Sequence, residues 1–349
     1  MERIKVLGVF RDIMAAKIGL PVLKFLAEQG HEVKLAVEGK AIGLAEESGL
    51  TIIVRGSDQL QPQRPSVVVT ERPQVVVVGC SSPINWELDF AGTARALEIP
   101  VVTCEDTWNA LSRLQGFVPN LTLVMDDFMM TVNIARRRAI VGDIASTVDT
   151  SVPATAKEAL AAFDTATAGK TSIMVVPDHP DNVLEIVRLV ANSLRLENDP
   201  SQFVCYYSLW HPKYADADQY PQYAHVLPEF ARLTEGLSFT HRGQLGTDAL
   251  ARMCDITVGA FTTPLRIALH HGRRAISVWG PMAKRLYQEE CGLSAYPLVA
   301  MGVIPRLTEP EHLSWLDWER YDKNSRRWAA SAKFRPEAGA EAIHGLVEK

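Results

Sequence analysis

The stretch from Asp248 to Pro281 constrains the fold more than any other part of the chain. It reads as a short helix, a buried strand (256–258), a turn at Gly259, a second helix and another strand (275–278). Strands alternating with helices in this way argue βαβ units and a parallel sheet. Between the first strand and the second helix stand Gly259, Ala260, Phe261, Thr262, Thr263 and Pro264. A glycine, two hydroxyls and a helix start thus fall at the carboxyl end of a strand, where open α/β sheets bind ligands. The unpaired N–H groups and the dipole of a helix start suit an anion such as a phosphate. The plainer reading of the same residues is an N-cap, with Thr262 or Thr263 satisfying the backbone and Pro264 fixing the first turn.

The same alternation runs through the rest of the chain. Residues 4–10 read as a strand, 15–29 as an amphipathic helix closed by Gly30, and 31–37 as the next strand. A helix around 41–48 ends at Gly49 and leads to a third strand at 50–54, after which the Gln/Pro-rich stretch 59–65 reads as an irregular loop. Residues 75–78 are four valines in a row, the pattern of a strand covered on both faces. A helix (85–97) and strands at 99–103 and 121–125 complete the first half. Composition then shifts to Ala, Thr, Ser and Asp between Gly142 and Thr171, which places a domain boundary near residue 152. Beyond it the alternation resumes: strand 173–176, helix 183–196, strand 203–207, a helix near 220–234 and strand 237–240. The expected architecture is α/β, two Rossmann-like doubly wound domains (1–152 and 153–349) facing a central cleft.

Composition removes several classes of function. The 349 residues carry a net charge of −5, which argues against an electrostatic footprint for nucleic acid or an anionic membrane. No apolar run approaches the roughly 18 residues a spanning helix needs, and the first residues read as a strand rather than a signal peptide, so a cytoplasmic protein is expected. The five cysteines form no CxxC pair, and four of them (Cys80, Cys104, Cys205, Cys254) lie in or beside apolar strand or helix patterns, as buried reduced thiols do. No metal-ligand spacing occurs, and neither a metal nor a cofactor is expected.

Candidate binding residues gather at the carboxyl ends of the second-half strands. Thr262, Thr263 and Arg266 form the leading phosphate site with Gly259, because Arg266 lies about one turn into the helix. His179 follows the first strand, His211 in Trp210-His211-Pro212 the second, and His241-Arg242-Gly243 the third. Three histidines with Arg242 and Arg266 along one sheet edge describe an anion-binding rim. His270 and His271 precede Gly272 at a helix C-terminus, where positive charge is favourable, and read as structural. In the first half, Asp12, Glu105 and Asp106 are the carboxylates at strand carboxyl ends and the candidates for acid/base work, with helix capping as the competing role. Trp108 beside them offers a stacking face or a core side chain, and Ser81 and Ser82 offer hydroxyls without a nucleophile-elbow setting.

Several short motifs resemble the GT-B superfamily, which includes nucleotide-sugar glycosyltransferases and the hydrolysing UDP-N-acetylglucosamine 2-epimerases. They are Gly30-His31-Glu32-Val33 after the first helix, the segment from Glu71 to Gly79 with Ile99-Pro100-Val101-Val102, Trp210-His211-Pro212, and Cys254-Asp255 through Gly272. The resemblance implies a donor site in the second half and an acceptor site with a base in the first. Where many of these transferases carry a helix glutamate for the donor ribose, the nearest residue here is Arg266, which holds phosphate but cannot accept from ribose hydroxyls. The leading expectation is a metal-independent glycosyltransferase that takes a nucleotide-sugar donor and a small-molecule or glycan acceptor. Asp106 or Asp12 would be the base. A hydrolysing nucleotide-sugar epimerase and a non-catalytic sugar-nucleotide binding protein are the alternatives. Neither nucleic acid nor an integral membrane segment is expected, and a homo-oligomer stays open.

Overall fold

The computed structural model describes residues 2–56, 66–81, 86–129, 135–208 and 218–348. They divide into two compact units, Met1–Ile144 with Glu290–Gly292 and Ser331–Lys349, and Ala145–Glu289 with Leu293–Ala330.

The first unit begins β1 (Lys5–Phe10), α1 (Ile13–Glu28), β2 (Glu32–Glu38), α2 (Ala41–Ser48) and β3 (Thr51–Gly56). It continues α3 (Ser66–Glu71), β4 (Val75–Val78), α4 (Trp86–Ala96), β5 (Val101–Cys104), β6 (Leu121–Val124) and β7 (Arg138–Ile140). Its seven strands are all parallel, in the order β3-β2-β1-β4-β5-β6-β7. All four valines of β4 are buried, as a strand covered on both faces requires. The apolar positions of α1 pack on one face of the sheet, while Trp86 and Phe90 of α4 pack on the other. Gly30 adopts φ +90° just past α1, the left-handed closure expected at that position.

The second unit runs α5 (Lys157–Thr167), β8 (Thr171–Val175), α6 (Val183–Leu196), β9 (Phe203–Tyr207), α7 (Val226–Thr234) and β10 (Phe239–His241). Then follow α8 (Thr247–Met253), β11 (Ile256–Gly259), α9 (Thr263–His270), β12 (Arg274–Val278), α10 (Pro281–Cys291), α11 (Pro297–Ala300), β13 (Arg306–Leu307) and α12 (Trp318–Ser331). Its six parallel strands are ordered β10-β9-β8-β11-β12-β13. The Asp248–Pro281 stretch is helix–strand–helix–strand as expected, and β11 and β12 pair in parallel.

The chain then returns to where it began. Residues 331–335 run beside the end of β7, with Asp143 N–H donating to Ala332 O at 2.7 Å and Arg335 N–H to Val141 O at 2.6 Å. The last helix, α13 (Pro336–Val347), packs on α1, and its Ala340 and Ile343 join the core of the first unit. A single boundary near 152 assigned this helix to the second half. The structure instead divides after Ile144 and gives the last residues to the first unit. Among the described residues no helix is long and apolar enough to cross a membrane, and all five cysteines are buried and unpaired.

Candidate functional site

Each sheet has one place where the strand order reverses: between β1 and β4 in the first unit, and between β8 and β11 in the second. Such switch points open a crevice at the strands' carboxyl ends.

At the second unit's switch point, β8 runs on through Val176 into Pro177-Asp178-His179-Pro180-Asp181-Asn182, facing the Gly259–Thr263 turn. Asp178 Oδ2 accepts N–H bonds from Ala260 at 2.8 Å and Phe261 at 3.3 Å, from the Asn182 side-chain amide at 3.4 Å, and from the Thr262 hydroxyl. The backbone donors beside Gly259 thus already hold an anion, the protein's own carboxylate. Thr262 directs its hydroxyl to Asp178 rather than to its own helix, where it makes no side-chain cap. Asp178 is partly exposed as a residue, yet its Oδ1 is buried and has no hydrogen-bond partner among the described residues. Burial pushes the carboxyl up to about 7 against the pull of those hydrogen bonds. A folded state that holds this proton more tightly than the unfolded chain loses stability as pH rises from the ordinary aspartate range to about 7, and no more beyond it. Relative to wild type, Asp178→Asn should therefore gain melting temperature between about pH 4 and pH 8. A constant difference across that range would contradict the burial of this carboxyl.

Gly259 has a packing reason of its own. A Cβ there would stand 2.8 Å from Val176 O and 2.7 Å from Thr262 Cγ2. Arg266 is 4% exposed, and its guanidinium donates to Thr263 Oγ1 at 3.3 Å, one turn back on α9. His179 caps the turn after β8: Nδ1 accepts from Asp181 N–H at 3.2 Å while Asn182 Oδ1 accepts from His179 N–H at 3.2 Å. With Nδ1 accepting, Nε2 carries the proton of the uncharged ring and remains a donor. His241 Nδ1 likewise accepts from Gly243 N–H, and Arg242 donates to Leu245 O at 2.9 Å. His241 ends β10 and Arg242 follows it, two strands from β8, about 10 Å along the edge from the switch point. His211 lies outside the described residues. His270 packs on Trp328 and His271 lies 3.4 Å from the Thr150 hydroxyl.

A second internal carboxylate escaped the sequence reading. Glu185 of α6 accepts from Met282 N–H and Ala283 N–H, both at 3.0 Å, and so fills the start of α10. Gly280 makes room for it, since a Cβ there would come within 2.2 Å of Glu185 Oε1.

In the first unit, Asp12 is the N-cap of α1: Oδ1 accepts from Met14 N–H at 2.9 Å. Its own N–H donates to Ser81 Oγ at 3.0 Å, and the Ser81 hydroxyl donates to Glu87 Oε1, which also takes the Arg11 N–H at 3.1 Å. Glu87 is fully buried in the first turn of α4, and burial raises its carboxyl above the usual range. The first turn of α1 is thus held from β4's side of the switch point. Asp12 and Ser81 line a cavity of about 310 Å³ with Arg11, Ile13, Gly39 and Lys40.

The other two carboxylates are placed differently. Glu105 is 1% exposed and turned inward, with Oε1 accepting Leu111 N–H at 2.7 Å. Asp106 lies 3.7 Å from Arg113, which also reaches Cys80 O at 3.3 Å. Trp108 is buried and donates its indole N–H to Asp126, so it packs rather than offering a face. Sequence spacing placed all three carboxylates alike, because it shows the end of a strand but not which way the next side chain turns.

No protein-family model matches the chain, and no curated protein matches it in sequence. Solved structures do match along its whole length. A Listeria monocytogenes protein assigned as a UDP-N-acetylglucosamine 2-epimerase aligns with TM-score 0.64 and 10% identity over 99% of this chain and 95% of that one. The UDP-N-acetylglucosamine 2-epimerase of Neisseria meningitidis, solved with UDP-N-acetylglucosamine, aligns with TM-score 0.59 and 14% identity over 99% and 100%. The calicheamicin glycosyltransferase aligns with TM-score 0.57 and 13% identity over 100% and 99%. Two doubly wound parallel sheets, each with one switch point, give this chain the fold of the GT-B superfamily.

Proposed function

We propose that this protein is a glycosyltransferase that moves a sugar from a nucleotide-activated donor to a hydroxyl acceptor. The switch point of the second unit is the donor side, where Thr262, Thr263, Arg266 and the Nε2–H of His179 stabilise the leaving diphosphate. The first unit is the acceptor side, with Asp12 as the base. One observation favours transfer over epimerisation: Asp12 lines a cavity, and its Oδ2 makes no hydrogen bond among the described residues. A cavity of about 310 Å³ has room for part of an acceptor. Glu105 is committed to the interior and Asp106 stands beside Arg113, which leaves few free groups for the acid/base work of an epimerase. That the structural neighbours include an epimerase bound to UDP-N-acetylglucosamine makes a UDP-sugar the first donor to try.

The test has two parts. A thermal-shift screen of UDP-, GDP-, dTDP-, CMP- and ADP-sugars identifies the donor, since a native-state ligand at 100 times its Kd stabilises by about 2.7 kcal/mol. Arg266→Ala is expected to weaken that donor about 10- to 100-fold, the loss of one charge-assisted hydrogen bond. Nucleotide release is then followed with and without hydroxyl acceptors. Release that requires an acceptor supports transfer, whereas acceptor-independent release with a new hexose product assigns the epimerase reaction instead.

A further inference from the structure

The amides of Ala260 and Phe261 converge on a single oxygen, and that oxygen belongs to Asp178. Two backbone N–H groups beside a helix start are the donors on which a phosphate would be expected to settle. We propose that Asp178 occupies in the free protein the place of a ligand phosphate oxygen, and that a nucleotide diphosphate binds at this turn together with one proton, taken up by Asp178. The inference rests on the reading of the second unit as a nucleotide-sugar site.

The geometry sets both halves of the exchange. Asp178 and a diphosphate share one turn, and two anions that share a site cannot both stay ionised without a penalty. One of them must take a proton. A sugar diphosphate diester has no group that titrates near neutral pH, so the proton goes to the carboxyl. Oδ1 is built to receive it, being buried and without a donor to stabilise a charge there. The groups that bond Oδ2 are all uncharged: Ala260, Phe261, Asn182 and Thr262. The charged or titratable groups on the packed elements each have other partners. On its own loop, His179 and Asp181 lie 3.5 Å apart. Glu185 of α6 holds the start of α10, Arg266 of α9 bonds Thr263, and Tyr287 of α10 packs on Phe261. The balance is one solvent proton added to one carboxylate, with no other bond made or broken. Because burial has already moved this carboxyl up to about 7, the uptake falls in the neutral range. Affinity is then full below pH 7 and declines as pH rises, by up to about tenfold per unit.

Calorimetry of a UDP-sugar at about pH 6 and about pH 8.5 tests this, using two buffers of different ionisation enthalpy at the higher pH. The expected result is a Kd about 10- to 30-fold weaker at the higher pH, with close to one proton taken up per ligand. Asp178→Asn, which keeps the acceptor oxygen and cannot ionise, should bind equally at both pH values and more tightly than wild type at the higher one. His179→Gln should weaken binding at both pH values and keep the wild-type ratio between them; if that ratio falls to one, the proton belongs to His179 and the proposal falls. Equal affinity of wild type at both pH values with no proton uptake overturns the proposal and leaves the donor-site reading standing. No binding of any nucleotide sugar at either pH overturns both. Should Asp178→Asn not fold, the wild-type buffer experiment decides alone.

Discussion

Asp12→Asn should leave donor affinity intact while lowering turnover about 100- to 10,000-fold, the usual contribution of a positioned general base. The substitution separates the cap that this carboxylate provides from the base role proposed for it. Oδ1 caps α1 by accepting Met14 N–H, and an asparagine oxygen does the same, so the helix start and the fold are preserved. Oδ2 makes no hydrogen bond among the described residues, and an amide nitrogen in its place cannot take a proton from an acceptor. Asp12→Ala would be less informative, since it also deletes a cap worth about 1 kcal/mol. Two comparisons sharpen the result. Glu105→Gln disturbs an interior acceptor for Leu111 N–H and should lower melting temperature along with activity. Asp106→Asn removes the carboxylate beside Arg113 and should leave turnover within a few-fold. The measurements are kcat with a saturating acceptor, donor Kd and melting temperature for each variant. If Asp12→Asn keeps full turnover while Asp106→Asn loses it, the base is Asp106 and the first-unit site moves to the end of β5.

What could be read from the sequence follows how local its cause is. The four valines of β4 announce a strand buried on both faces, and Gly30 closes α1 in the left-handed conformation its position implies. The alternation of strand and helix needs only hydrophobic periodicity, so both sheets were expected. Strand order is another matter. Nothing in the string of residues says that β8 lies beside β11, so nothing set Asp178 against the amides of Ala260 and Phe261 across 82 and 83 positions. Asp178 at the switch point therefore drew no notice, and His179 beside it was a ligand candidate where the structure shows a cap. Glu185 and Glu87 were missed for the same reason. Each is a helical glutamate that looks like a solvated position until the element it packs against is known. Residue type alone does not say how a side chain packs: the Arg266 guanidinium donates to Thr263 in α9's own first turn, and Trp108 points its indole at Asp126.

The return of the C-terminal helix to the first unit rests on one position, and Gly142→Ala should expose it. Gly142 follows β7 with φ +88°, a conformation that costs a side chain roughly 1–2 kcal/mol. An added Cβ would also stand 2.1 Å from Lys333 O, 2.5 Å from its carbonyl carbon and 2.7 Å from Phe334 Cα. All three are backbone atoms, so no side-chain rotation relieves the contact, and overpacking of this kind adds about 1–3 kcal/mol. Residues 331–335 must then withdraw from β7, and the short bonds from Asp143 N–H and Arg335 N–H go with them. Phe334, Ala340 and Ile343 would lose their places in the core around α1. The combined effect of about 2–5 kcal/mol should lower the melting temperature of the first unit by about 5–15 °C. Gly30→Ala is the matched control. Its φ is equally left-handed, at +90°, but nothing lies within 4 Å of the added Cβ, so only the conformational part of the loss remains. Limited proteolysis completes the comparison, with cleavage of Gly142→Ala expected between residues 331 and 336 under conditions in which wild type and Gly30→Ala stay whole. Equal melting temperatures for the two alanine variants would mean that the segment after α12 does not run against β7, and the assignment of α13 to the first unit would fall with it.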